Sequence, residues 1–307
     1  MSMGSYLSDL HTHTDFSHGK GSPEDIVRAG IRCGLKRIAI TEHAGGHVFY
    51  GVRGEKLTRL RKETERLASV YARDIEVLFG LECNLTGFGE CDAPKDRGMF
   101  DVLLLAYHKG VVPRDGFLLK RSMEAAGLHK SEPELTAKAL LAAAEKYRID
   151  IFAHPGEYVK CDIETLARGA KELGTMIEIN SRHVTLSPDD IRLIAKIGAV
   201  MRPDSDAHSP ERVGELGPAI AAAAAAGTGH AVQVLDGTGT GHDRTDDLLG
   251  GRVGALAGAV QRTEKCLVAD FDDLFHSVGA VVIAGDNMGS VQRLHADCTV
   301  GAQLPAQ

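Results

Sequence analysis

The stretch Asp9–His18, DLHTHTDFSH, packs three imidazoles and two carboxylates into ten residues. Residues two apart on an extended strand share a face, so His11 and His13 can aim both rings at one ion. A lone histidine at a strand end is ordinarily structural, so the weight falls on what accompanies this pair. His18 follows in the same loop, and further donors come after short apolar runs: His43 in TEHA, Glu82 in GLEC, His108 in YHKG, His154 in AHPGE, and Asp206 with His208 in DSDAH. Seven histidines, one glutamate and one aspartate exceed what a single ion uses, because catalytic zinc takes about three protein ligands. The set therefore implies two or three divalent ions sharing a bridging carboxylate. Mixed histidine and carboxylate sites accept Zn, Mn or Fe alike.

These donors need elements to bring them together. Short β-branched apolar runs at Tyr6–Leu10, Arg37–Thr41, Ile75–Leu81, Asp101–Ala106, Asp150–Ala153, Met176–Ile179 and Ala199–Met201 read as seven strands. Helical stretches alternate with them. SPEDIVRAGIRCG offers Ser22 as N-cap, Pro23 at the first helical position and Gly34 at the far end. SEPELTAKALLAAAEKYR pairs Ser131 with Glu134 as a capping box, and SPDDIRLIAKIG repeats the Ser-Pro start and Gly stop. Seven successive βα units predict an α/β chain folded as a distorted (β/α)7 TIM-like barrel over residues 5–226, with an open doubly wound sheet as the alternative. In such a barrel chemistry sits at the carboxyl ends of the strands, where all nine donors fall. The sixth strand, IEINSRH, ends in Asn180, Arg182 and His183, which read as substrate contacts.

The bulk numbers set limits. With 307 residues, 43% apolar and 25% charged, the chain has an ordinary globular composition. A net charge of −7 argues against a basic surface for phosphate backbones, so nucleic acid is not expected as a partner. No apolar run of about 18 residues predicts a membrane span, and the first residues lack the basic flank and apolar core of a signal peptide. Six scattered cysteines with no C-x-x-C pair fit reduced thiols, and a cytoplasmic location is expected. Residues 227–307 read as a Gly/Ala-rich linker and C-terminal extension, with one more helix and strand within 266–295. Their DGTGTGHDRTDD run does not meet G-x-G-x-x-G, because His242 stands where the third glycine belongs. Oligomeric state is not encoded in any of these features.

The motif set resembles the PHP (polymerase and histidinol phosphatase) family of phosphoesterases over about residues 5 to 215. The resemblance rests on H-x-H-T with His18, on TEHA, GLE, His108, AHPG, and on the closing SDAHS. It implies a trinuclear centre: one ion on His11, His13, Glu82 and Asp206, a second on Glu82, His108 and His154, and a third on His18, His43 and His208. A histidine at position 18 looks like the histidinol-phosphatase branch, since some relatives carry aspartate there. Arg202 and Pro203 depart from the family's usual small residues in the last strand.

What the resemblance implies is hydrolysis of a small phosphomonoester by a metal-activated hydroxide, since divalent ions lower the pKa of bound water from about 15.7 towards 7 and clamp phosphate oxygens. Catalytic roles are expected for Glu82 and Asp206, and Arg182 is expected to neutralise phosphoryl charge, with His183, Arg202 and Lys109 as lesser candidates. His47 reads as a solvated loop residue and Cys83 as core packing, pointing away from the donors. Two rivals stand beside the phosphatase. An amidohydrolase-like hydrolase also opens on H-x-H, but would carry a bridging carboxylate or modified lysine where His108 stands. A PHP-type nuclease would want a basic and aromatic groove. A non-catalytic metal-binding module would show lost ligands, and none of the nine is missing.

Overall fold

In the computed structural model, which describes residues 8–228, seven parallel strands form one sheet: β1 (Ser8–Asp9), β2 (Arg37–His43), β3 (Glu76–Gly87), β5 (Val102–Ala106), β6 (Ile151–Phe152), β7 (Met176–Asn180) and β8 (Met201–Asp204). A short β4 (Glu90–Cys91) folds back antiparallel on the end of β3. Helices fill the crossovers: α1 (Pro23–Arg32), α2 (Glu55–Val70), α3 (Gly116–Ala125), α4 (Pro133–Tyr147), α5 (Ile163–Leu173), α6 (Pro188–Ile197) and α7 (Gly217–Ala225). The sheet closes on itself where Thr12 bridges Ala207, with the His13 amide donating to the Ala207 carbonyl at 2.8 Å and the Leu10 amide to Asp204 Oδ1 at 2.7 Å. The fold is the expected (β/α)7 barrel. The linker and the 266–295 elements expected from the sequence lie outside the described residues.

Two layers of apolar packing follow from the alternation of side chains along each strand. On β3 the odd residues Val77, Phe79, Leu81, Cys83 and Leu85 join the larger core beneath the helices. The even residue Leu78 joins Leu10, Ala39, Val102, Leu104, Ala106, Ile151 and Ala153 in a small plug inside the barrel. Glu82 and Asn84 continue that inward-facing row, and Cys83 packs outward as expected.

Helix starts follow the sequence signals at two of three places. Ser22 and Ser187 each cap through a reciprocal box with Asp25 and Asp190, ahead of a proline at the first helical position. The Ser131–Glu134 box does not form. Instead α4 begins at Pro133 after Glu132, whose carboxylate and carbonyl are taken up by the wholly buried guanidinium of Arg121. Strand ends also shift: β2 runs on to His43, β3 to Gly87 because β4 pairs with it, and β8 occupies Met201–Asp204.

Candidate metal centre

Every donor but Glu82 lies at or beyond the carboxyl end of a strand, and Glu82 lies within β3 level with His43 at the end of β2, so closing the barrel gathers them. Glu82 is at the middle. Its Oε1 lies 2.8 Å from His154 Nε2, 3.0 Å from His108 Nε2 and 3.4 Å from His11 Nε2. Its Oε2 lies 2.9 Å from His43 Nδ1 and 3.5 Å from His13 Nε2. Asp206 Oδ1 is 3.4 Å from His13 Nε2 and 3.3 Å from His208 Nδ1. Four triplets of donor atoms lie within 4.8 Å of one another: His11, His13 and Glu82; His11, His154 and Asp206; His43, Glu82 and His108; and His13, His43 and His208.

This grouping divides the donors differently from the family-implied one. His13 takes the place of His18 beside His43 and His208, and His43 that of His154 beside Glu82 and His108. His18 is exposed; its ring lies 4.9 Å from that of His43 and 4.3 Å from that of His208, centroid to centroid.

A second ring of residues orients the first, and most of it was not singled out from the sequence. Glu178 Oε1 accepts from His11 Nδ1 at 2.7 Å, while its Oε2 accepts from the backbone amide of His154 at 2.7 Å. Asn84 Oδ1 accepts from His108 Nδ1 at 2.8 Å, and the Asn84 amide nitrogen donates to Asp92 Oδ2 at 2.6 Å. Because a carboxylate only accepts, Asp92 fixes which way the Asn84 amide faces and thereby places the His108 proton on Nδ1, freeing Nε2. Glu157 Oε2 lies 2.9 Å from His154 Nδ1, and Glu42 takes the amide of Thr14 at 2.8 Å, with its Oε2 3.8 Å from His13 Nδ1. Glu178 shares the inward row of Asn180 in the alternating MIEIN but was not among the residues singled out. Asn84, two residues beyond Glu82, shares its inward row, whereas Asp92 and Glu157 carried no spacing signal of their own.

Several sequence expectations change here. Asn180 is a buried scaffold residue: its oxygen accepts the amides of Arg182 and His183, and its nitrogen donates to Glu178. Arg202 is 1% exposed inside the barrel, forked onto Asp204 at 2.6 and 2.7 Å, because an interior position on β8 leaves it no route to the rim. His47 is buried, its Nδ1 accepting from the Tyr50 amide, since the loop after β2 pairs with Val111. Arg182 and His183 do sit at the rim. The Arg182 guanidinium, 36% exposed, bonds His208 and lies 3.9 Å from Asp206. His183 reaches Glu157 at 3.4 Å. Lys109 is exposed, its ammonium 4.9 Å from the centre of the Tyr158 ring.

The electrostatics of the cluster pull its imidazoles in both directions. Burial would push His11 down, but the carboxylates of Glu178, Asp206 and Glu82 hold it well above its ordinary value. His13 is likewise lifted to about 9, against burial, by Asp206, Glu42 and Glu82. Glu82 and Asp206 are held below the usual carboxylate range by the imidazoles around them, although burial alone would raise both. Where burial wins the imidazole goes down, as at His43 (about 4) and at the nearby His18 (about 3), the latter with help from the charges of His43 and His13. Backbone strain concentrates in the same place, since His154 and Asp206 are two of the three non-glycine residues with positive φ among the described residues.

The donor set fits divalent ions. His11 Nε2, both ring nitrogens of His13, His43 Nδ1 and Glu82 Oε2 are buried without a hydrogen-bond partner, although they crowd together. Such groups are costly to bury unsatisfied, and these belong to donor triplets whose atoms lie within 4.8 Å of one another.

Comparison with known proteins gives the family of the chain. The PHP domain family model matches residues 9–181. A probable phosphatase of Syntrophotalea carbinolica is 32% identical over 237 residues, covering 71% of this chain and 87% of its own length. A DNA polymerase and 3′-5′ exonuclease of Bacillus subtilis is 25% identical over 232 residues, 72% of this chain but 37% of that protein. Among solved structures, the histidinol phosphate phosphatase of Lactococcus lactis, complexed with zinc, L-histidinol and phosphate, shares the fold at a TM-score of 0.50 and 17% identity, covering 73% of this chain and 94% of that one. By the family model and by the identity to the Syntrophotalea protein, the chain belongs to the PHP domain family.

Proposed function

We propose that the chain hydrolyses a small phosphomonoester at a centre of two to three divalent ions held by His11, His13, His18, His43, Glu82, His108, His154, Asp206 and His208. The observation that carries this reading is the convergence of buried, unpartnered ring nitrogens and a carboxylate oxygen around Glu82. Bound ions would supply an acidified water and electrostatic clamping of phosphate oxygens. The chain's own residues set the stage for that chemistry. Glu178, Glu157 and the Asn84–Asp92 pair hold His11, His154 and His108 in one orientation. Arg182 offers a planar fork to phosphoryl oxygens from the rim. Asp206, ionised beside His13 and Arg182, would take up the proton that the attacking water releases.

The kinship with probable phosphatases supports this choice of ester, and the fold shared with the histidinol phosphate enzyme puts histidinol phosphate among the esters to try. The amidohydrolase-like reading is weaker because His108 is the donor that follows β5, and the nuclease reading because the net charge is −7. The test is metal content by elemental analysis on protein purified without chelator, paired with p-nitrophenyl phosphate turnover before and after metal removal. Two to three ions per chain and chelator-sensitive turnover are expected. Glu82→Gln should cost both metal and more than about a hundredfold in turnover. Wild-type turnover in that variant would sink the proposal, and full metal occupancy without phosphatase activity would favour an amidohydrolase.

A further inference from the structure

A cavity of about 410 Å³ is lined by Gly45, Gly46, Val48, Arg53, Thr86, Val112 and Arg114. Its walls come from the chain segments that leave three of the donors: residues 45–53 follow His43, Thr86 follows Glu82, and Val112 with Arg114 follows His108. The cavity and the donors therefore share one rim of the barrel.

Its chemistry is cationic with apolar edges. Arg53 donates to the Gly45 carbonyl at 3.0 Å and has no carboxylate partner among the described residues; Arg114 has no ion pair there either. The acids nearby are already engaged. Asp92 accepts from Gly46 and Asn84, Asp115 accepts from the amides of Leu118 and Phe88, and Glu90 is held by Lys146 and Tyr147. Thr86 adds an independent sign: it is buried, it forms part of the wall, and its hydroxyl is without a hydrogen-bond partner. Two guanidinium groups and an unspent hydroxyl in a concave wall suit an anion, because guanidinium forks match carboxylate and phosphate oxygens. Val48 and Val112, both exposed, give its mouth an apolar surface for the carbon chain that leads to that anion.

We infer that this cavity is a specificity subsite, so that the preferred substrate is a phosphomonoester carrying a second anionic group at its far end. The inference rests on the phosphatase reading for the ester end and on Arg53, Arg114 and Thr86 for the other. It narrows the substrate class to doubly anionic metabolites with an apolar spacer.

The test compares a series of ω-carboxyalkyl phosphates with methyl-ended alkyl phosphates of equal chain length, on the metal-loaded full chain. At one chain length the carboxylate-ended ester is expected to have about a tenfold lower KM than its methyl-ended partner. Arg114→Ala and Arg53→Ala should erase that ratio, while Arg114→Lys should restore part of it and Thr86→Val lower it less. Calorimetric binding of the matching ω-carboxyalkyl phosphonate gives a readout that does not depend on turnover. Equal KM values at every length, with turnover intact, overturn the subsite and leave the phosphatase reading standing. Arginine-dependent phosphonate binding without turnover of any ester overturns the phosphatase reading and keeps the subsite.

Discussion

Asp92 reaches the metal centre through a chain of three contacts, by way of Asn84 and His108 to Glu82. Its acceptor-only character sets the amide of Asn84, and that amide sets the tautomer of His108. In Asp92→Asn one of the two oxygens becomes a donor facing the donors of Gly46 and Asn84. The relief is a flipped Asn84 that donates to His108 Nδ1, so that His108 Nε2 turns a proton towards Glu82 in place of a lone pair. The expected result is a loss of about 10–100-fold in metal affinity with the fold intact, read by metal titration alongside circular dichroism. Unchanged affinity would mean that His108 is oriented by other means. At this scale the sequence was readable for residues whose type and strand-end position suffice, such as His11, Glu82 or Asp206. It was unreadable for Asn84, Asp92 and Glu157, because a hydrogen-bond acceptor is functional only by virtue of what faces it. Arg202 and Asn180 were misread for the same reason: a polar residue near a strand end can face the barrel interior, where other polar side chains satisfy it.

Among the elements, β3 carries the central donor, and its packing leaves no slack. A Cβ on Gly80 would sit 2.5 Å from the Val102 carbonyl and 2.8 Å from a methyl of Thr41, so both neighbouring strands would have to part. Gly80 is two residues before Glu82 on the same inward-facing row. Gly80→Ala is therefore expected to cost about 1–3 kcal/mol of stability and to lower metal occupancy as well. Thermal unfolding and elemental analysis on the same sample check both, and a stability loss with full occupancy would show that β3 repacks without displacing Glu82. Element boundaries were legible where local chemistry decides them, as at the two Ser-Pro helix starts. They were not where a distant partner intervenes: Arg121 on α3 takes the Glu132 side chain and moves the start of α4, and β4 lengthens β3 by pairing with it.

For the whole molecule, the titration of the donor cluster sets how the metal-free protein responds to pH. His11 and His13 have folded-state values raised above the ordinary histidine range, to about 9 for His13, so the stability they contribute is complete below about 6.5 and is lost as pH climbs towards 9. His43 and His18 are depressed, to about 4 and about 3, so between those values and about 6.5 the unfolded chain binds more protons and stability falls as pH drops. Melting temperatures of chelator-treated protein are therefore expected to peak near pH 6.5 and decline on both sides. Metal-loaded protein should gain relative to the metal-free form as pH rises, because ligand nitrogens must shed protons to bind. Parallel curves for the two forms would contradict this. The barrel was the favoured reading of seven repeats of strand and helix, and the Thr12–Ala207 bridge excludes the open doubly wound sheet that stood as its alternative. The polar layer of Glu178, Arg202 and Asp204 inside it was not anticipated, since a barrel interior is ordinarily apolar.

The barrel's seam has a consequence for the order in which the protein is made. The contact that closes it joins Leu10 to Asp204, 194 residues apart, and the donors stand on either side, with His11 and His13 from the first strand and Asp206 and His208 beyond the last. A ribosome has to release nearly the whole barrel before the two flanks can meet, so a nascent chain that stops short of His208 holds only part of the proposed ligand set.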